Sequence, residues 1–292
     1  MKRLSYAFTT TVEFSAPVHD HAFVLRCLPA AREGQQARGR LELDPPATFT
    51  VQTDSFGNLL ACGRIDEAHT SFSYRASGEA TVEVPRFEDW LDGLDEGAGD
   101  AAGAPGAPGV AAPAAPHGTH PIFRYPSQLA CADEAIVAFA RKAGCTPERA
   151  PHPARPRDAA QRAEALMHAL HAHMAYEPGT TDVHTTAAQA FAQGCGVCQD
   201  FAHILVAALR NWGIPARYAC GITEGEGATH AWAQAYIGGR WLGLDPTRDK
   251  LTDEGYLVVA VGRDWADCPV ERGVFIGAAD QTQTVFMEVM EQ

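Results

Sequence analysis

The chain has 292 residues, a formal net charge of -13 and a pI near 5.3, with 46% hydrophobic and 20% charged residues. These are the proportions of an ordinary globular protein long enough for two domains, and the acidity argues against nucleic acid or an anionic membrane surface as a partner. No apolar run approaches the roughly 20 residues of a membrane helix, no apolar signal core follows the basic start MKRLSYAFTT, and the 8 cysteines are scattered, so the expected setting is the cytoplasm with free thiols.

In chain order, residues 1–85 read as β-rich. YAFTTTVEF and TSFSYRASGEATVEV carry threonine, valine and aromatics at near-alternating spacing, with turn signals at DPPAT and DSFGN between them. This predicts an antiparallel β-sandwich-like domain over 1–92. Residues 93–118 are dominated by Gly, Ala and Pro and have no periodic apolar face, which predicts a linker. From 119 to 292 helices come first and strands after, an α+β order with an antiparallel sheet. The segments 127–144, 157–176 and 198–213 have helical spacing. Thr185 or Thr186 is expected to cap a further short helix. Strands are expected at 216–222, 230–237, 240–245, 256–262 and 284–291.

GCGVCQDFAH, residues 194–203, holds the chemistry. Cys195 and Cys198 have the spacing of a redox pair or half a zinc site. A zinc site needs two further ligands at matching spacing, and no second CxxC or H-x₃-H follows; a redox motif of the thioredoxin kind would follow a strand in a βαβ unit. The alternative is a nucleophile. The glycines permit a tight turn, and Cys198 then falls in the first turn of a helix, where unpaired N–H groups favour a thiolate. Such a nucleophile needs a base and a group to orient it. In HAWAQAYIGGRWLGLD, residues 230–245, a two-residue turn at Gly238-Gly239 pairs Ile237 with Arg240, Tyr236 with Trp241 and Trp232 with Asp245. His230 then shares a face with Asp245, within reach of an imidazole–carboxylate hydrogen bond. A three-residue turn would put the two on opposite faces.

Taken together, GVCQDFAH (196–203), GIPARY (213–218), THAWAQAYI (229–237) and LDPTR (244–248), in the order Cys, His, Asp, resemble the transglutaminase-like cysteine peptidase superfamily. GRDWADCPVERGVFIG (262–277) resembles the tail of its bacterial branch. LRCLPA (25–30) and DSFGN (54–58) resemble the β-rich region that precedes the bacterial core. The resemblance implies a papain-like core, with the catalytic Cys at a helix N-terminus packed on an antiparallel sheet. Cys198 would be the nucleophile, His230 the base and acid, and Asp245 the orienting carboxylate. It implies acyl transfer from peptide or protein amides through a thioester, with no cofactor and no metal. Hydrolysis is the expected outcome; protein-glutamine cross-linking, or a non-catalytic binding module that keeps the triad, are the alternatives. The backbone N–H of Cys198 is the natural first oxyanion donor. Cys195 and Cys268 depart from the family pattern.

The remaining polar residues have plainer readings. His203 lies about 140° around the helix from Cys198 and is read as structural. Asp200 and Gln199 occupy the first turn, where a capping role is expected. His168, His171 and His173 are unevenly spaced for a metal. Trp232 and Trp241 are read as core or cleft wall.

Overall fold

The computed structural model describes residues 1–96, 121–145, 155–224 and 229–291. The chain opens with a long strand β1, Lys2–Leu25, followed by β2 (Gln35–Asp44), β3 (Phe49–Thr53), β4 (Leu59–Ile65) and β5 (His69–Val82). Alternate side chains of β1 (Leu4, Tyr6, Phe8, Thr10, Val12 and Phe14) are buried, as the period of two requires. The sandwich-like expectation is met by one curled antiparallel sheet, ordered β2-β5-β1-β4-β3. The first half of β1 pairs with β5; after an irregular stretch with Asp20 at φ 52, its second half pairs with β4. One strand thereby serves both arms of the curl.

Helix α1 (Phe87–Glu96) follows, so residues 93–96 of the expected linker are the end of a helix. Residues 97–118 of that linker lie outside the described residues. Next come α2 (Glu134–Lys142), α3 (Pro156–His173), β6 (Ala175–Tyr176), α4 (Ala187–Gln193), β7 (Cys195–Gly196) and α5 (Cys198–Asn211). α2 is shorter than the spacing at 127–144 suggests, because Asp133 caps it: its Oδ1 accepts from Ile136 N at 2.9 Å. Thr186, of the two candidate threonines, caps α4 in a reciprocal box with Gln189. α5 is buried from Asp200 to Arg210 and forms the centre of the helical core.

Five strands complete the second sheet: β8 (Ala216–Thr223), β9 (Thr229–Ile237), β10 (Arg240–Asp245), β11 (Lys250–Leu251) and β12 (Tyr256–Gly262). Their order is β11-β10-β9-β8-β12, all antiparallel. The last two strands, β13 (Glu271–Ile276) and β14 (Gln281–Glu291), leave this sheet and pair with β1 on the side opposite to β4 and β5. Ile222, Leu257 and Val259 of the second sheet join the aromatic core of the first, so the two sheets share buried apolar surface. No helix among the described residues is long and apolar enough to cross a membrane.

Candidate active site

The segment before α5 is fixed from both sides. Gly194 ends α4 in the left-handed region at φ 73. β7 then pairs in parallel with β6, Ala175 opposite Cys195 and Tyr176 opposite Gly196. Asp200 reaches back from the first turn of α5, its Oδ2 accepting from Val197 N at 2.8 Å and from Thr181 Oγ1 at 2.7 Å. The expected capping role of Asp200 is thus its observed one. Burial outweighs these bonds and raises its carboxyl above the ordinary value. A Cβ at Gly196 would lie 2.6 Å from Asp200 Oδ2, so this close approach requires glycine. Cys198, half-buried, is the first residue of the helix thus started.

The hairpin register matches the expectation. Arg240 pairs with Ile237, Trp241 with Tyr236 and Leu244 with Ala233. Gly238 and Gly239 have φ 61 and 87, the positive pair that a tight two-residue turn needs. His230 Nε2 lies 2.6 Å from Asp245 Oδ2, with His230 only 4% and Asp245 0% exposed. With Nε2 taken by Asp245, Nδ1 is the ring nitrogen left for another partner, and Cys198 is near enough to act on the pKa of the imidazole. Burial alone would lower the pKa of His230; the hydrogen bond to Asp245, and then the influence of Cys198, outweigh it and raise the imidazole to about 9.

Asp245 has every lone-pair direction in use. Oδ2 accepts from Tyr256 Oη at 2.7 Å as well as from His230, and Oδ1 accepts from the backbone N of Thr247 at 3.0 Å and of Arg248 at 3.2 Å. Burial raises its pKa, but the His230 hydrogen bond and charge, then Tyr256, hold it below the ordinary carboxylate value. Tyr256 has no motif in the sequence to mark it. It opens β12, which reaches the site only by pairing with β8, Tyr256 opposite Thr223. Trp232 lines up beside the pair, ring centroids 6.2 Å from His230 and 5.2 Å from Tyr256.

The other sequence candidates fall elsewhere. His203 is buried and accepts from Trp265 N at 3.0 Å through Nε2, and burial lowers it to about 4, a neutral structural imidazole. His168 contacts Asp249 at 2.5 Å and His171 contacts the Pro246 carbonyl at 3.0 Å, while His173 stacks on Phe191. Among the described residues no three His, Cys, Asp or Glu side chains are grouped to hold a metal. Cys195 is a half-buried free thiol, and Cys268 is buried, its carbonyl accepting from Cys220 Sγ at 3.7 Å.

A cysteine-headed helix packed on an antiparallel sheet that carries histidine and aspartate, with a curled β-sheet in front, defines the papain-like and transglutaminase-like class of folds. Family models agree. Residues 150–246 match the Transglutaminase-like superfamily and residues 4–81 match the Bacterial transglutaminase-like N-terminal region, together more than half of the chain. The chain belongs to the transglutaminase-like superfamily, whose general chemistry is thiol-dependent acyl transfer. Its fold is also that of a solved candidate cysteine protease from Cytophaga hutchinsonii, with TM-score 0.68 and 20% identity over 99% of this chain and 90% of the other. An uncharacterised protein of Mycobacterium leprae is 41% identical over 124 residues, 39% of this chain and 44% of that protein. An uncharacterised protein of Mycobacterium tuberculosis is 40% identical over 121 residues, 36% of this chain and 38% of that protein. The matched region spans less than half the length of these curated relatives.

Proposed function

We propose that the protein is a thiol-dependent acyl-transfer enzyme that hydrolyses amide bonds of peptides or proteins, a cysteine peptidase or amidase with Cys198, His230 and Asp245 as its triad. The observation that carries this reading is the buried 2.6 Å contact of His230 with Asp245, with Cys198 at a helix start near enough to help raise the pKa of the same imidazole. An imidazole raised to about 9 is protonated at neutral pH, which suits a thiolate–imidazolium pair. The Cys198 Sγ attacks the amide carbonyl carbon, and the carbonyl electron pair moves to oxygen. The Cys198 N–H, in the first turn and without an intrahelical acceptor, donates to that oxyanion. His230 gives its proton to the leaving nitrogen as the C–N bond breaks, leaving a thioester. Water then attacks with His230 as base, the C–S bond breaks, and the thiolate returns. Asp245 keeps the ring oriented throughout and stabilises its protonated form.

An amine in place of water would give cross-linking from the same thioester. No cross-linking insert is recognisable in the sequence, so water is the acceptor we assign. All eight cysteines are free, which favours a reducing cytoplasm as the setting. The deciding experiment offers a peptide library with and without a primary amine and reads the products by mass spectrometry. Hydrolysed peptides in both arms are expected. Amine adducts as the dominant product would replace hydrolysis by transfer, and no product from either arm would remove the enzymatic reading.

A further inference from the structure

A cleft of about 1130 Å³ opens between the first sheet and the outer face of the second, and Cys198, His230 and Asp245 do not line it. Its walls include Trp232 and Tyr256, the two aromatic residues that back the His230–Asp245 pair, together with Trp241, Arg217, Gln234 and Arg32. Arg217 is only 7% exposed. Its guanidinium lies 3.8 Å from the centroid of the Trp241 ring, and Nε donates to Gln234 Oε1 at 2.7 Å. These two contacts fix the plane and the rotation of the group. The two terminal nitrogens make no hydrogen bond and no ion pair among the described residues.

These two nitrogens are not fully enclosed but keep access to the cleft, where a ligand or water can meet them. Arg210 shows the structural alternative in the same fold. It is 5% exposed, and Nε, Nη1 and Nη2 donate to Ala216 O, Ser127 Oγ and Arg263 O at 2.9, 3.1 and 2.6 Å. Arg32, on the same cleft, adds a second cation. It donates through Nη2 to Asn58 Oδ1 at 2.6 Å, while its buried Nε has no partner. Three acids of the lining are paired, Glu224 with Lys2, Asp253 with Lys250 and Glu254 with the N-terminus, while Glu33, Glu83 and Asp89 also border the cleft and compete with any bound anion. Burial first, and then the charge of Arg32, push the Arg217 guanidinium below its ordinary value, with the charge of Glu33 opposing them in part; an anion in the cleft would add to the Glu33 effect.

We propose that this cleft is a binding site for an organic carboxylate, gripped by the terminal nitrogens of Arg217 with the aromatic wall carrying the apolar part of the ligand. A planar guanidinium held flat on an indole presents a fork that a planar carboxylate matches with two parallel hydrogen bonds. The cavity has room for a short peptide, so the carboxylate is either a peptide C-terminus or an acidic side chain. The site stands independently of the acyl-transfer reading.

The test uses the full chain as Cys198→Ser, so that turnover plays no part, with tryptophan fluorescence and calorimetry as readouts. The probes are N-acetyl-alanyl-phenylalanine as the free carboxylate, its C-terminal amide, an amidated peptide of the same length ending in glutamate, and inorganic phosphate. At least one carboxylate probe is expected to bind about tenfold or more tighter than the uncharged amide, and the tighter of the two names the source. Arg217→Gln should abolish that difference, and Arg217→Lys should restore it only in part. Equal affinity for carboxylate and amide, or phosphate binding tighter than either carboxylate, overturns the proposal. If Arg217→Gln does not fold, the comparison of carboxylate with amide on the unchanged cleft still decides it.

Discussion

Gln35 and Val258 exchange two hydrogen bonds: Gln35 Nε2 donates to the Val258 carbonyl at 2.9 Å, and Gln35 Oε1 accepts from the Val258 N–H at 2.8 Å. Asn58 does the same with Val261, at 2.8 and 2.9 Å. β12 is the outermost strand of the second sheet, so these two buried amides of the first sheet occupy the place of a missing neighbour strand. Gln35→Leu leaves the Val258 N–H and carbonyl buried without partners. The expected loss is about 2–4 kcal/mol in a urea melt, with activity falling because Tyr256 lies on the same strand. A loss under about 0.5 kcal/mol would mean that water replaces the amide.

Tyr256→Phe removes one of two donors to Asp245 Oδ2 without changing the ring. A hydrogen bond to a charged acceptor predicts about 1.5–3 kcal/mol of lost stability. The pKa of Asp245 should rise, so acid unfolding should begin at a higher pH than in the unaltered protein. An unchanged acid midpoint would show that Tyr256 only fills space.

The pH dependence of stability has a definite sign. His230 is raised to about 9 from an ordinary value of 6.5, so its contribution is complete below about 6.5 and is lost as pH rises toward 9. Urea midpoints should fall across that window, and activity should show an alkaline limb near pH 9. Asp245 is lowered, so its contribution is present above its unfolded value near 3.8 and disappears as pH falls through its folded value. Asp245→Asn should flatten the alkaline slope and lower kcat by about 10²–10⁴-fold. A slope that survives Asp245→Asn would point to another group.

Gly196→Ala brings a methyl group within 2.6 Å of Asp200 Oδ2. Either the cap on Val197 breaks or the turn moves, and the start of α5 moves with it. A melting measurement should show about 1–3 kcal/mol of destabilisation. Alkylation of Cys198 by an iodoacetamide-type probe should slow by more than the loss of folded protein explains.

His230→Ala tests the thiol pairing directly. The same alkylation at neutral pH should slow about tenfold or more once the imidazolium partner is gone. A rate equal to that of the unaltered protein would sink the pairing of Cys198 with His230.

The legible parts of this protein were those written in local spacing. The Gly-Gly turn set the β9–β10 register, and with it the shared face of His230 and Asp245, because a hairpin's pairing follows from its turn. The glycines and the acid around Cys198 announced the helix start. Tyr256, Arg217 and Gln35 were not legible, since each matters through a partner on another element. α1 was missed because FEDWLDGLDE runs into a Gly/Ala/Pro segment that hides its end. β14 could be read as a strand, but its period of two says which residues share a face and nothing about which sheet receives them.

The pairing of β1 with β14, Leu4 opposite Glu291 through Phe14 opposite Gln281, also sets an order of events during synthesis. Met287 and Val289 complete the core of the first sheet, and they leave the ribosome after nearly everything they pack against. The earliest strands must therefore wait, with one flank open, until β14, far along the chain, has been made. A ribosome stalled before β14 would hold a thiol-bearing helix already formed beside a β-sheet still exposed to mispairing. Newly made chains of this protein should accordingly lean on chaperones until β14 has emerged and paired.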